Sequence, residues 1–109
     1  MKPARVVRLG TPQAKGAVRI DRKTRWGNPF IIGKDGDRLK VINHYRAWLW
    51  KRLKNEPDLI HAVANLHGRT LACHCAPKPC HGQVLARAAA WAYRKTHTMK
   101  DPLRRQYGD

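Results

Sequence analysis

The sequence predicts an α/β fold: one small single-domain sheet of about three or more short strands, packed with about three helices. Two patterns point to it. Short β-branched runs bounded by glycine and proline alternate with longer stretches whose apolar residues recur every three or four positions. A chain of 109 residues with 42% hydrophobic content holds one core, so a second domain does not fit. Residues 1–95 are expected to form the domain and residues 96–109 a basic, flexible tail.

Arg5-Val-Val-Arg-Leu9 and Ala17-Val-Arg-Ile-Asp21 read as two short strands, separated by Gly10, Pro12 and Gly16. The stretch from Arg22 to Gly36 has no sustained period and is rich in glycine, which suits a long functional loop. Gly27 gives it conformational freedom, Pro29 pushes Asn28 toward an extended geometry, and Trp26 and Phe30 are placed to anchor it on the core. Asn28 is then expected to present a fixed amide beside the Arg25 guanidinium. Asp37 is suited to cap a helix reaching about Lys54, with an apolar stripe of Leu39, Ile42, Tyr45, Leu49 and Leu53 widened by Val41 and Trp48. Pro57 opens a second helix, and Gly68 is placed to stop it. A third strand is expected over Arg69-Thr-Leu-Ala-Cys73, and a third helix from about His81 to Arg94 buries Val84, Leu85, Ala88, Trp91 and Ala92. His44, His61 and His67 lack ligand-like spacing and read as surface or packing residues.

The formal net charge of +16, from 23 Lys and Arg against seven acids, calls for a polyanionic partner. Nucleic acid is the first candidate, with a nucleotide or an acidic protein surface next. Arg5, Arg8, Lys15 and Arg19 on the first two strands, with Lys40 and Arg46 on the first helix, are the expected phosphate contacts. Arg22, Lys23, Arg25, Trp26 and Asn28 form the expected ligand-binding loop. The sequence contains no serine, so a serine nucleophile is excluded. Its sparse acids give thin support for a two-metal nuclease or a paired-carboxylate hydrolase. No stretch approaches the roughly 20 apolar residues of a membrane span, and the first residues lack the apolar run of a signal peptide, so no membrane partner and a cytoplasmic location are expected.

All three cysteines fall within the turn Cys73-His-Cys-Ala-Pro-Lys-Pro-Cys-His81 between the third strand and third helix. On an extended segment Cys73 and Cys75 leave on one face and His74 on the other. Pro77 and Pro79 then turn the chain, and Cys80 and His81 arrive at a helix start that favours a thiolate or a bound anion. Three readings remain open. Cys73, Cys75, Cys80 and His81 form a zinc site; Cys75 or Cys80 is a reactive thiolate; or the thiols pack a structural corner. A disulfide framework is not expected, since three cysteines cannot all pair with one another.

Arg25-Trp-Gly-Asn-Pro-Phe30, the helix carrying Tyr45 and Trp48, Gly68-Arg-Thr-Leu-Ala-Cys-His-Cys-Ala-Pro-Lys-Pro-Cys-His-Gly82 and Val84-Leu-Ala86 together resemble the bacterial and bacteriophage family known as domain of unknown function 4326. The likeness runs from about Val18 to Ala89. The family usually has an aromatic residue between the first two cysteines; His74 stands there instead, adding a ligand, an acid/base group or a packing choice. The resemblance implies a compact α/β domain, acting in a bacterial host cell if phage-encoded, whose Trp-Gly-Asn-Pro-Phe loop and Cys/His turn line one site. It supplies no activity.

The expected function is therefore binding of nucleic acid or another phosphate-bearing ligand. One alternative is a nucleotide- or nucleobase-processing enzyme with Cys75 or Cys80 as nucleophile or metal ligand and His74 as a further catalytic candidate. Another is a phage effector that binds an acidic host protein.

Overall fold

The computed structural model describes residues 3–76 and 78–100. The elements follow the expected order: β1 (Arg5–Arg8), a 3-10 turn (Pro12–Ala14), β2 (Val18–Arg19), α1 (Arg38–Asn55), α2 (Pro57–Ala64), β3 (Thr70–Cys73) and α3 (His81–Lys100). The strands form one parallel sheet in the order β1-β3-β2, with Val6 and Val18 both registered on Leu71. β3 takes the centre because its residues suit burial on both faces: Leu71, Ala72 and Cys73 are each at most 1% exposed. The outer strands carry exposed Arg5, Arg8 and Arg19, and charge on an edge opposes pairing with another chain.

β2 is shorter than the five residues expected. Ile20 still donates its N–H to the Ala72 carbonyl at 2.9 Å, but at Asp21 the chain turns, with the Thr24 N–H reaching the Asp21 carbonyl at 2.9 Å. All three strands therefore end on the same side of the sheet, and the segments after Ile20 and after Cys73 emerge beside each other.

Asp37 caps α1 as expected, its side chain accepting the Lys40 N–H at 2.9 Å. The helix buries Val41, Ile42, Tyr45, Leu49 and Leu53, whereas Leu39 is 66% exposed and stands outside the stripe. Val41 completes the inward face in its place. α2 ends at Ala64, and turns through Leu66 and His67 carry the chain to β3.

α3 packs against α1, α2, β1 and β3, which makes it the element that joins the helices to the sheet. Its alanines Ala88, Ala89 and Ala92 are fully buried, and close approach starts at Gly82. A Cβ there would lie 2.9 Å from both methyls of Val6 and 3.0 Å from Cδ1 of Ile20. The helix also runs past Arg94 into residues expected to be a flexible tail. The Thr96 hydroxyl bonds the carbonyls of Ala92 and Tyr93 at 3.0 and 3.1 Å, so a polar residue is buried without an unpaired group, and the His97 ring stacks on Tyr93 at 3.7 Å. The remainder of the expected tail, residues 101–109, lies outside the described residues, as does Pro77. No helix among the described residues is long and apolar enough to cross a membrane.

Gly82→Val tests the seating of α3. The added methyls meet Val6 and Ile20 directly, and overpacking of this kind costs about 1–3 kcal/mol. Urea unfolding should show a lower midpoint with an unchanged slope; an unchanged midpoint would mean that the helix start is not tightly seated on the sheet.

Candidate functional site

A cleft of about 350 Å³ opens beside the carboxyl ends of β2 and β3. Phe30, Ile32, Val41 and Ile42 supply its apolar wall, Arg22, Lys23 and Arg38 its cations, and Asp21 with the Cys73 to His81 turn its inner side. Parallel sheets commonly place ligands at this end of their strands. The loop leading away from β2 and the turn after β3 are the two segments that build it.

The loop is held by consecutive turns, with the Gly27 N–H donating to the Thr24 carbonyl at 3.1 Å. Gly27 lies so close to the preceding backbone that a Cβ would sit 2.5 Å from Arg22 Cα and 2.6 Å from the Asp21 carbonyl oxygen. Trp26 is half-buried against the core, and its carbonyl accepts the Tyr45 hydroxyl at 3.0 Å. Phe30 lies against the His44 ring at 5.2 Å. Trp26 therefore anchors the loop on the core as expected, whereas Phe30 meets the exposed His44 and lines the cleft. The Asn28 amide is occupied: Nδ2 donates to the Val41 carbonyl at 3.1 Å and Oδ1 accepts the Phe30 N–H at 2.9 Å. These bonds fix the amide and brace the loop on α1, and Asn28 also lines the cleft.

Asp21 is the buried carboxylate of the cleft, with 4% of its side chain exposed. Arg19 grips it with a fork, Nε to Oδ1 at 3.2 Å and Nη2 to Oδ2 at 2.6 Å. Those bonds hold the Asp21 carboxyl below its ordinary range. The pair therefore contributes stability above the ordinary carboxyl pKa, and that contribution is lost as pH falls through the lowered one. His74, although exposed, brings Nε2 to 3.5 Å from Asp21 Oδ2.

β3 ends at Cys73, and the chain bends at His74 and Cys75. The same-face pairing of Cys73 with Cys75 expected from an extended segment therefore does not form. Cys73 meets Cys80 instead, across the turn, with their sulfurs 3.1 Å apart and both residues buried. Cys75 is half-buried. Cys80 sits one residue before α3 and caps it: its sulfur accepts the Gly82 N–H at 3.2 Å, while Gln83 Oε1 accepts the Cys80 N–H at 2.9 Å. This reciprocal pair is similar to a capping box, with sulfur in the place of the usual oxygen and its donor one residue earlier than usual. Arg38 Nη1 ties the turn to α1 through the Pro79 carbonyl at 3.2 Å.

The two sulfurs share their protons unequally. The hydrogen bond with Cys80 holds the Cys73 thiol below its ordinary range, against the opposing effect of burial. Retaining the shared proton, together with burial, pushes the Cys80 thiol upward. His81 is buried, and its Nε2–H donates to the Ile20 carbonyl at 2.6 Å. Burial lowers its pKa, which favours the neutral ring with the lone pair on Nδ1.

The expected zinc site of Cys73, Cys75, Cys80 and His81 is not assembled. Among the described residues no group of three or more His, Cys, Asp or Glu side chains is arranged to hold a metal ion. Two thiolates on one tetrahedral zinc stand about 3.8 Å apart, as follows from Zn–S bonds of about 2.3 Å. The Cys73 and Cys80 sulfurs stand closer than that, while His81, with Nε2–H on the Ile20 carbonyl, keeps its Nδ1 lone pair.

Of the expected ligand loop, Arg22, Lys23 and Asn28 line the cleft, together with His74 and all three cysteines. Arg25 and Trp26 are not part of its lining. The Arg25 guanidinium lies over the Trp26 ring, 4.9 Å from its centre. Among the expected phosphate contacts, Arg5, Arg8, Lys15, Lys40 and Arg46 are exposed, Arg46 in a separate groove. Arg19 is committed to Asp21. Sequence reasoning missed Asp21 and Arg38 as site residues. The spacing of Arg19 and Asp21, two apart on a strand, was a signal that they share a face; nothing local marks Arg38.

The family model for the domain of unknown function (DUF4326) matches residues 7–91. The chain is also 39% identical over 70 residues to the "uncharacterized 12.4 kDa protein in nrdA-td intergenic region" of Enterobacteria phage T4, a match covering 63% of each chain. No solved structure matches significantly. The chain belongs to the DUF4326 family.

The proton sharing has a direct readout. Ultraviolet thiolate absorbance should rise with pH around a midpoint below the roughly 8.5 of a free cysteine. Cys73→Ser should remove this step and Cys75→Ser should leave it; its persistence in Cys73→Ser would assign the thiolate elsewhere.

Proposed function

We propose that this member of the family binds a phosphate-bearing ligand of nucleic-acid chemistry, with a ring in the cleft and phosphate at its cationic rim. One observation carries the reading: Arg22, Lys23 and Arg38 stand around an apolar-walled cleft whose carboxylate, Asp21, is already paired with Arg19. Phosphate needs such cations, and an aromatic or aliphatic wall such as Phe30 and Ile32 suits the face of a base. A volume of about 350 Å³ is within the range of small-ligand sites. Exposed Arg5, Arg8, Lys15, Lys40 and Arg46 supply further charge for a longer strand and no base selectivity.

A second reading is supported by Cys73. A thiolate beside a ligand cleft is a nucleophile in the position that a nucleotide- or nucleobase-processing enzyme requires, and the lowered pKa favours Cys73 over Cys75 and Cys80 for that role.

The binding reading is tested by fluorescence anisotropy with a labelled single-stranded oligonucleotide and competition by a nucleoside monophosphate. Affinity should fall steeply as salt rises, and joint replacement of Arg22 and Lys23 by Ala should weaken it by about tenfold or more. Replacing Arg5 and Arg8 should cost less and leave competition by the monophosphate intact. A flat salt dependence, or equal binding by the Arg22/Lys23 variant, would overturn the reading.

A further inference from the structure

We propose that Cys73 and Cys80 form a modification site for a small peroxide, which oxidises the pair to a reversible disulfide. The proposal stands on the geometry of the turn and does not depend on what occupies the cleft.

The sulfurs are already 3.1 Å apart, and a disulfide bond of about 2.0 Å needs them to close by only about 1 Å. They belong to different elements, one at the end of β3 and the other at the start of α3, joined by a turn closed by the Lys78 N–H on the Cys75 carbonyl at 2.9 Å. The bridge would therefore tie the end of the central strand directly to the start of the helix. Both residues are buried, yet both line the cleft, which gives a molecule the size of hydrogen peroxide a route to them while a large reagent is hindered. The hydrogen bonds also assign unequal roles. The Cys73 thiol, held below its ordinary range by its bond with Cys80, is the attacking sulfur, and Cys80 lies beside it, placed to resolve the oxidised sulfur. Cys75, half-buried, is not part of that contact.

The chemistry balances. The Cys73 thiolate attacks one peroxide oxygen, the O–O bond breaks, Cys73 becomes a sulfenic acid, and the departing hydroxide takes a proton to leave as water. The Cys80 sulfur then attacks the sulfenic sulfur, the S–S bond forms, and the second hydroxide leaves as water with the Cys80 proton. Two thiols and one hydrogen peroxide give one disulfide and two waters, with two electrons passing from sulfur to peroxide. A dithiol reductant returns both thiols and is itself oxidised to a disulfide.

The experiment treats the full chain and its Cys75→Ser variant with hydrogen peroxide at neutral pH, then counts free thiols by alkylation and intact mass, with circular dichroism confirming the fold. The Cys75→Ser chain, which retains only Cys73 and Cys80, should lose both thiols together with two hydrogens, within one chain, and recover them on treatment with a dithiol. A Cys80→Ser chain that remains folded should accumulate a sulfenic acid on Cys73, detected by a dimedone-type trap. Loss of the reaction in folded Cys75→Ser, a link formed only between chains, or irreversible addition of oxygen to Cys73 without a link would each overturn the proposal.

Discussion

The corner between β3 and α3 is the constraint on which the other parts depend. α3 must start within a few residues of the central strand's end and lie against the neighbouring strands, so position 82 has no room for a side chain beside Val6 and Ile20. That approach puts the ring of His81 within hydrogen-bonding reach of the Ile20 carbonyl, tying the helix start to the end of β2. It also brings the Cys80 sulfur to the end of β3. Helix α3 then reaches α1 and α2, so the same contact that joins the helices to the sheet places the cysteines on the cleft. Fold and site share one set of contacts here, and neither can move independently of the other.

Charge has a different distribution from packing. With 23 Lys and Arg and seven acids, few cations find an intramolecular partner. Arg19 takes the buried Asp21, and Arg52 makes an i,i+4 pair with Glu56 at 3.0 Å. The first pair matters for the cleft because it removes a free carboxylate that would otherwise repel an anion beside Arg22 and Lys23. The second lies on the surface, where solvent and salt screen such pairs and they contribute little. Excess positive charge is thus a general property of the surface, while its meaning for function depends on where a carboxylate is neutralised. Net charge alone could not distinguish Arg19, which holds Asp21, from Arg22, which lines the cleft.

The order of strands and helices was legible because period-two and period-3.6 patterns depend on residues near one another in the chain. The position of β3 at the sheet's centre was not, although its buried Leu-Ala-Cys run is consistent with it after the fact. The end of α3 was misread for a specific reason: Thr96 looks polar in sequence, but its hydroxyl satisfies itself on the preceding turn and can therefore be buried. The two motifs that meet at the cleft were likewise legible as a pair, while the job of each residue was not. Asn28 lines the cleft and at the same time braces its loop through two backbone groups, a role that its place in the sequence does not show.

The cysteines show where local reasoning stops. Spacing of two residues pairs Cys73 with Cys75 only while the chain remains extended, and β3 ends at Cys73. Once it bends, the partner is chosen by how closely α3 approaches the sheet, which depends on Gly82, Val6 and Ile20 from three separate parts of the chain. The resulting contact pairs Cys73 with Cys80, and the hydrogen bond between their sulfurs holds the Cys73 thiol below its ordinary range. A zinc reading counts ligand types along a sequence; the thiol pair depends on a distance set by helix packing.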